Sequence, residues 1–80
     1  MPLFYFDVND GSRRDLDQQG QELRDLEAAR DVAVQELVLI MRDELPDGDR
    51  VAYVVTVRDS DGIPVAVASA NLLYEALARR

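Results

Sequence analysis

Four segments of the chain carry either the alternation of apolar and polar residues or the short run of branched and aromatic residues that is typical of strands. They cover residues 3–8, 13–17, 50–58 and 63–69. Turn-forming residues join them in pairs, with Asn-Asp-Gly at 9–11 and Asp-Ser-Asp-Gly at 59–62. The pattern therefore predicts two β-hairpins.

The side chains of the first hairpin favour one register. A three-residue loop at 9–11 places Phe4 opposite Leu16 on one face, and it places Asp7 opposite Arg13 on the other. The second of these is an attractive cross-strand pair. A two-residue loop would set the aromatic residues against aspartates, so we predict the three-residue loop.

The second hairpin is predicted from its valines. A loop at 60–62 pairs Val57 with Val65 and Val55 with Val67, which keeps the large apolar residues of both strands on one face. The reverse face then carries small or weakly polar residues. These are Ala52, Val54, Thr56, Ala66 and Ala68.

A long helix is predicted between the hairpins, over residues 26–45. Asp25 is a suitable N-cap, and Pro46 and Gly48 end the helix. Helical periodicity gathers one apolar stripe, formed by Leu26, Ala29, Ala33, Leu37, Ile40 and Met41. Further apolar residues lie outside the stripe, at Val32, Val38 and Leu39. We therefore expect something besides the sheet to cover this helix.

The end of the chain has the spacing of a short helix over residues 72–78. Ser69 or Asn71 is a suitable cap, and Arg79-Arg80 complements the C-terminal end of the helix dipole. The expected fold is one α+β domain over residues 1–80, in the order β-β-α-β-β-α. It has a four-stranded antiparallel sheet, the long helix packed on one face, and the short C-terminal helix.

Composition narrows the classes of function. The net charge is −7, from 16 acidic residues against 9 basic ones that are all arginine. A nucleic-acid-binding protein normally presents a basic face, so this class is disfavoured. The longest apolar run, 37–41, is too short to cross a bilayer, and the N-terminus lacks the pattern of a secretory signal. We expect a cytoplasmic protein with no membrane association.

The residues that usually carry catalysis are scarce. The chain has no His, Cys or Lys, which excludes thiolate nucleophiles, imidazole bases, Schiff bases and a phosphate-binding lysine. Carboxylates remain, in the pairs Asp15/Asp17, Asp47/Asp49 and Asp59/Asp61. We expect no cofactor and no enzymatic activity.

Asp15 and Asp17 are the metal-ligand candidates. With Gln19 and Gly20 they match the start of a calcium-binding EF-hand loop, but the twelfth position is Leu26 rather than Glu. Turn aspartates that bond their own backbone are the favoured interpretation. A carboxylate-based metal-binding protein or enzyme is the alternative function.

Aromatic and arginine residues leave a second alternative. Tyr5 is predicted on the face opposite Phe4 and Phe6, and with Arg13 and Arg14 it could contact single-stranded nucleic acid. Core packing of the aromatic residues and a solvated hairpin strand are the favoured interpretations. Weak binding of single-stranded nucleic acid is therefore the second alternative function.

The chain also resembles a family of small uncharacterised bacterial proteins, found chiefly in rhizobia and related alphaproteobacteria, that are classed as a domain of unknown function. The resemblance lies in M-P-x-F-Y-F-D-V-x-D-G over 1–11, D-x-x-G-x-E-L over 17–23 and D-L-E-A-A over 25–29. It supports the predicted fold, and it implies no activity, cofactor or functional residue.

The surplus of apolar surface favours a protein-interaction or regulatory module that is not an enzyme. We expect the chain to form a homodimer. The alternative partner is a different protein. The candidate contact residues are Tyr5, Arg13, Arg14, Val38, Leu39, Leu72 and Leu73.

Overall fold

The computed structural model describes residues 1–44 and 48–78. It contains five strands and one helix. Their bounds are β1 Leu3–Asn9, β2 Arg14–Asp15, β3 Gln21–Glu22, α1 Leu26–Asp43, β4 Arg50–Arg58 and β5 Pro64–Leu73. The predicted α+β class is confirmed, with an antiparallel sheet of five strands where four were expected.

The strands form one antiparallel sheet in the order β2-β1-β4-β5, and β3 pairs with the start of β1. The two hairpins are therefore joined through β1 and β4, with Phe6 opposite Val57 and Val8 opposite Val55. Strand β5 lies at one side of the sheet. The short strands β2 and β3 lie along the other side.

Helix α1 begins where the sequence predicts. The Asp25 carboxylate accepts a hydrogen bond from the Ala28 backbone N–H at 2.9 Å, which satisfies one of the free donors of the first turn. The helix ends at Asp43, and the Glu44 N–H donates to the Ile40 carbonyl. The predicted end at Leu45 and Pro46 lies outside the described residues.

One face of the sheet packs against the helix and forms the core. Of the predicted helical stripe, Ala29, Ala33 and Leu37 are buried, whereas Leu26 is 45% exposed. Val32, Ile40 and Met41 pack against the edge of the core. The buried sheet residues are Phe4, Phe6, Tyr53, Val55 and Val57.

The predicted register of the first hairpin is wrong. Val8 pairs with Asp15 and Asn9 with Arg14, so the loop is one residue longer than expected. It is held by the Asp10 side chain, which accepts bonds from the Ser12 and Arg13 backbone N–H groups. The second strand also stops at Asp15.

Two contacts expected from that register do not form. Leu16 lies beyond the end of β2 and is 54% exposed instead of packing against Phe4. The Asp7 carboxylate pairs with Arg58 instead of Arg13. The reason is the longer loop, because it contains Arg13 and sets Val8 and Asn9 opposite a second strand that ends at Asp15.

The predicted register of the second hairpin is wrong by one residue. Val57 pairs with Ala66, whereas Arg58 pairs with Pro64, so Val65 is an extra residue inserted into β5. Beyond this bulge, Val55 pairs with Ala68 rather than with Val67. The insertion reverses the faces of β5, because side chains alternate along a strand.

The reversal changes which side chains meet the helix. Ala66, Ala68 and Ala70 pack against the core, so they do not share the outer face with Ala52 and its neighbours. Val67 lies on the outer face instead and is 66% exposed. The small alanines allow α1 to contact both β4 and β5.

The prediction of a short C-terminal helix is also wrong. Leu72 and Leu73 belong to β5, where they pair with Val51 and Arg50. The Tyr74 N–H continues the ladder by donating to the Asp49 carbonyl at 2.7 Å, and residues 74–78 have no regular structure. Arg79 and Arg80 lie outside the described residues. In the part of the chain that the structure describes, no helix is both long enough and apolar enough to cross a bilayer.

Leu37 offers a test of the packing between helix and sheet. We expect Leu37→Ala to lower the free energy of unfolding by about 2–5 kcal/mol, because it removes a buried side chain and leaves a cavity. Leu39→Ala, on the same helix but 38% exposed, is the matched control and should cost less than about 1 kcal/mol. Urea unfolding measures both, and equal losses would contradict the packing of Leu37 against the sheet.

Candidate functional site

An ion pair joins β1 to β4 on the face of the sheet opposite the helix. Arg58 donates from Nε to Asp7 Oδ2 at 2.6 Å and from Nη2 to Asp7 Oδ1 at 3.0 Å. The Arg58 guanidinium also lies 4.8 Å from the centre of the Tyr5 ring. This bidentate pair is mostly shielded from water, since the Asp7 side chain is only 14% exposed.

Asp17 fills the gap between β2 and β3 along the side of β1. Its Oδ2 atom accepts the Phe6 backbone N–H at 3.1 Å, which a continuous strand would otherwise satisfy. Its own N–H donates to Asp7 Oδ1, and its carbonyl accepts from Arg58 Nη2. One aspartate thus replaces a missing piece of strand and connects it to the ion pair.

Neighbouring hydrogen-bond donors stabilise the ionised forms of Asp7 and Asp17. The hydrogen bonds from Arg58 outweigh burial and keep the pKa of Asp7 below its ordinary value of 3.8. Burial works against the charge of Asp17, but backbone N–H groups of Gly20, Phe6 and Gln19 outweigh it and lower its pKa as well. Both side chains are therefore anionic acceptors at neutral pH.

The loop that carries Asp17 lies very close to β1. Gly20 has a φ of +74°, and a Cβ atom there would approach the Phe4 carbonyl oxygen to 3.0 Å and the Tyr5 ring to 3.0 Å. Only glycine fits this position without displacing the strand. The Asp7, Asp17 and Arg58 network, with Gly20 beside it, is the anchor of the loop rather than a free binding group.

A cleft lies between the first hairpin and the C-terminal half of α1. Its volume is about 140 Å³, below the range of about 300–1,000 Å³ that is typical of small-molecule sites. Its walls are lined by Val8, Asp10, Arg13, Asp15, Glu36, Ile40, Glu44 and Tyr53. Two wider surface grooves, of about 460 and 450 Å³, adjoin it and share several of these residues. The surplus of carboxylates opposes the binding of anions there.

The outer edge of β5 differs from the rest of the surface in its chemistry. The strand has ten residues, and within the described chain it pairs on one side only, with β4. From Ile63 to Tyr74 the sequence has no charged residue, although 31% of the chain is charged. Proteins usually protect a free edge with charges, prolines or bulges. Here Pro64 and the bulge at Val65 protect only the start of the strand.

The hydrogen-bonding direction along β5 follows from its last bond. The Tyr74 N–H points towards β4, where it meets the Asp49 carbonyl. Successive residues of a strand point their backbone groups to opposite sides, so the odd-numbered residues beyond the bulge point theirs outward. These residues are Val67, Ser69, Asn71 and Leu73. They leave a run of free donors and acceptors along the edge.

Helical periodicity places an apolar flank of α1 on the side of the helix away from the cleft. Glu36 and Ile40 line the cleft on the hairpin side of the helix. Val34 and Val38 are about a third of a turn or more away from them around the helix axis, on the flank towards β5. Val34 is 39% exposed and Val38 is 59% exposed. The free edge and this flank together form one surface, which we call the open-edge surface.

The predicted contact residues are distributed over several parts of the molecule. Val38 and Leu73 belong to the open-edge surface, and Leu72 is a half-buried neighbour on the helix side of β5. Leu39 lies on the opposite flank of α1. Tyr5 contacts Arg58, Arg13 lines the cleft and Arg14 is in β2.

The metal-ligand candidates Asp15 and Asp17 have different surroundings. Asp15 is exposed in β2, whereas both oxygens of Asp17 accept backbone N–H groups. Within residues 1–44 and 48–78, no group of three or more acidic side chains is arranged to hold a metal ion. Sequence reasoning missed the role of Asp7 and Arg58, because the two residues are 51 positions apart.

Gly20 provides a test of the anchored loop. We expect Gly20→Ala to cost about 1–2 kcal/mol from its positive φ, plus about 1–3 kcal/mol from the clash with β1. Gly62→Ala is the matched control, since its φ is +80° and the nearest other atom is 4.0 Å from the added Cβ. Thermal unfolding compares the two, and an equal loss of stability would show that the loop does not press on β1.

The lowered pKa of Asp7 gives a pH dependence with a definite sign. Its folded pKa lies below 3.8, so the pair stabilises the fold above that value and loses this stability as the pH falls through the folded pKa. We expect Asp7→Asn to be less stable than the wild type at pH 7, and to lose less further stability between about pH 5 and pH 2. Urea unfolding across that range measures the difference. Asp31→Asn, which removes an exposed carboxylate, is the control for the loss of one negative charge.

Comparison with known proteins identifies a family and adds no activity. A family model described as a domain of unknown function, DUF6894, matches residues 3–71. No curated protein and no solved structure matches the chain at a significant level. The matched span runs from the first residue of β1 almost to the end of β5. The chain therefore belongs to the DUF6894 family.

Proposed function

We propose that this protein is a small interaction module without enzymatic activity, and that it works as a homodimer joined through the open-edge surface. The observation that carries the proposal is the free edge of β5, which has outward backbone donors and acceptors and no charged residue from Ile63 to Tyr74. An unprotected edge of this kind is a template for pairing with another strand.

Apolar side chains beside the edge support the same proposal. Val67 is 66% exposed and Leu73 is 61% exposed, and both lie on the outer face of the sheet. Burial of such groups stabilises association by roughly 25 cal/mol per Å² of apolar surface, before the entropy cost of binding. A strand added at β5 would cover backbone and side chains in one step.

The chemistry of the remaining residues supports a role other than catalysis. The chain has no His, Cys or Lys. The carboxylates of Asp7, Asp10, Asp17 and Asp25 accept hydrogen bonds within the fold, where they hold a strand, two turns and a helix cap. The cytoplasmic location and the bacterial origin expected from the sequence stay predictions.

Ser69 allows the edge to be blocked without breaking the sheet. Its N–H points outward, so Ser69→Pro removes an outward donor and leaves the ladder between β4 and β5 intact. We expect the wild type to sediment at twice the mass of one chain at tens of micromolar, and Ser69→Pro to sediment as a folded monomer. Ser69→Ala is the control for loss of the hydroxyl and should remain dimeric.

Two results would overturn this proposal. One is a wild type that is monomeric and folded at those concentrations. The other is a Ser69→Pro variant that keeps both the wild-type circular dichroism spectrum and the dimeric mass. Circular dichroism on every sample separates loss of association from loss of folding.

A further inference from the structure

We propose that β5 pairs with β5 of a second copy in an antiparallel arrangement whose twofold axis passes through Ala70, and that the two α1 helices pack against each other above the junction. This inference rests on the proposed homodimer, and it adds the register and the helix contact. A twofold axis is the usual symmetry of a dimer, because each copy offers the same surface.

The direction of the backbone groups limits the possible registers. Outward groups belong to Val67, Ser69, Asn71 and Leu73, as derived from the bond between Tyr74 and Asp49. An axis that passes through a residue brings odd-numbered positions opposite odd-numbered ones, so outward donors meet outward acceptors. An axis between two residues would bring outward groups opposite inward ones, and it would mismatch the faces of the sheet.

Among the remaining registers, the axis at Ala70 uses all four outward residues. Val67 then lies opposite Leu73 of the second copy, and Ser69 lies opposite Asn71 of the second copy. Apolar side chains meet apolar ones, and the hydroxyl meets the amide. About eight backbone hydrogen bonds form across the junction.

An axis one position earlier, at Ser69, fits less well. It would set Val67 against Asn71, so an apolar side chain would face an amide. It would also require Val65 to pair with Leu73, although Val65 is the residue inserted at the bulge. The bulge therefore excludes the start of β5 from the junction and moves the centre of pairing to Ala70.

The position of the helix agrees with this register. Helix α1 lies over β4 and β5, and neighbouring strands are about 4.8 Å apart. Its axis is then about one strand spacing from the twofold axis, so two copies of α1 lie on the order of 10 Å apart. Packed helices have this separation. Val34 and Val38 face the junction and would be covered by their counterparts.

The distribution of charge around the edge of β5 permits a second copy of this acidic protein to bind there. Each chain has a net charge of −7, so most of its surface repels a copy of itself. The charge-free run from Ile63 to Tyr74 is the exception. At an Ala70-centred junction the nearest charged residue in sequence, Glu75, lies opposite Val65 of the second copy rather than opposite another carboxylate.

A single cysteine tests the register, because the wild type has no cysteine. In the proposed junction Ala70 faces Ala70 of the second copy as a non-hydrogen-bonded pair, with Cα atoms about 4.5 Å apart, within disulfide range. We expect Ala70→Cys to form a disulfide-linked dimer with oxidised glutathione. Failure of this variant to cross-link while it remains a dimer would overturn the register.

Two further cysteine variants distinguish a disulfide formed at the junction from one formed by random collision. Ser69→Cys and Asn71→Cys should each cross-link poorly alone, because identical residues would be about 7–8 Å apart across the junction. Mixed together, they should form a disulfide between unlike chains, which a tag on one of them reveals. Efficient linkage of Ser69→Cys to itself would place the axis at Ser69 and overturn the proposal.

Matched substitutions on α1 test the helix contact. Val38→Lys places a charge on the flank towards β5, and we expect it to raise the dissociation constant of the dimer at least about tenfold. Leu39→Lys, also exposed but on the opposite flank, should change it by less than about twofold. Equal effects of the two substitutions would overturn the helix contact.

Sedimentation separates this inference from the proposed function. A wild type that stays monomeric overturns both. A dimer that Ser69→Pro dissociates, but whose Ala70→Cys form does not cross-link, keeps the association at β5 and overturns the twofold pairing, as expected if the edge binds another segment. A dimer that passes both tests and dissociates with Val38→Lys supports the complete arrangement.

Discussion

The shift of register at Val65 is the constraint on which the rest of the structure depends. Val57 pairs with Ala66 and Arg58 with Pro64, so one inserted residue decides which side chains of β5 lie beneath the helix. With the insertion, alanines face the core and α1 lies close over β4 and β5. Without it, valines would fill that space and the helix would be pushed away from the sheet. The same insertion leaves Val67 and Leu73 exposed on the outer face.

The two sides of the sheet are completed in opposite ways. On the side of β1, a strand is interrupted after Asp15, and the Asp17 carboxylate takes its place by accepting the Phe6 N–H. Arg58 pairs with the Asp7 carboxylate and donates to the Asp17 carbonyl, so the side is closed by polar contacts within one chain. On the side of β5 the charged residues are missing from the sequence itself. The contrast favours association at β5, since that side of the described sheet offers free backbone groups without charge.

Local signals in the sequence were enough for most elements. Asp25 as an N-cap, the burial of Ala29, Ala33 and Leu37, and the presence of a turn after β1 and after β4 all depend on neighbours within a few residues. The predictions that were wrong concern strand pairing and an ion pair, which depend on residues far apart in the chain. The spacing of Leu72 and Leu73 also suits a helix, and only their pairing with Val51 and Arg50 makes them part of a strand. No glycine marks the bulge at Val65, and the ion pair of Asp7 with Arg58 joins residues that lie far apart in the chain.

The small size of the core connects folding to the proposed association. The radius of gyration is 14.9 Å, against about 12 Å for a compact chain of this length, so the molecule is elongated. Among residues 1–44 and 48–78, eight hydrophobic residues are buried in the core. A short chain has little apolar burial to offset the loss of conformational entropy, and a partner that covers additional apolar surface supplies more. Pairing at β5 would extend the sheet and place Val34 and Val38 in a shared layer between two helices, and this added burial would stabilise the folded chain.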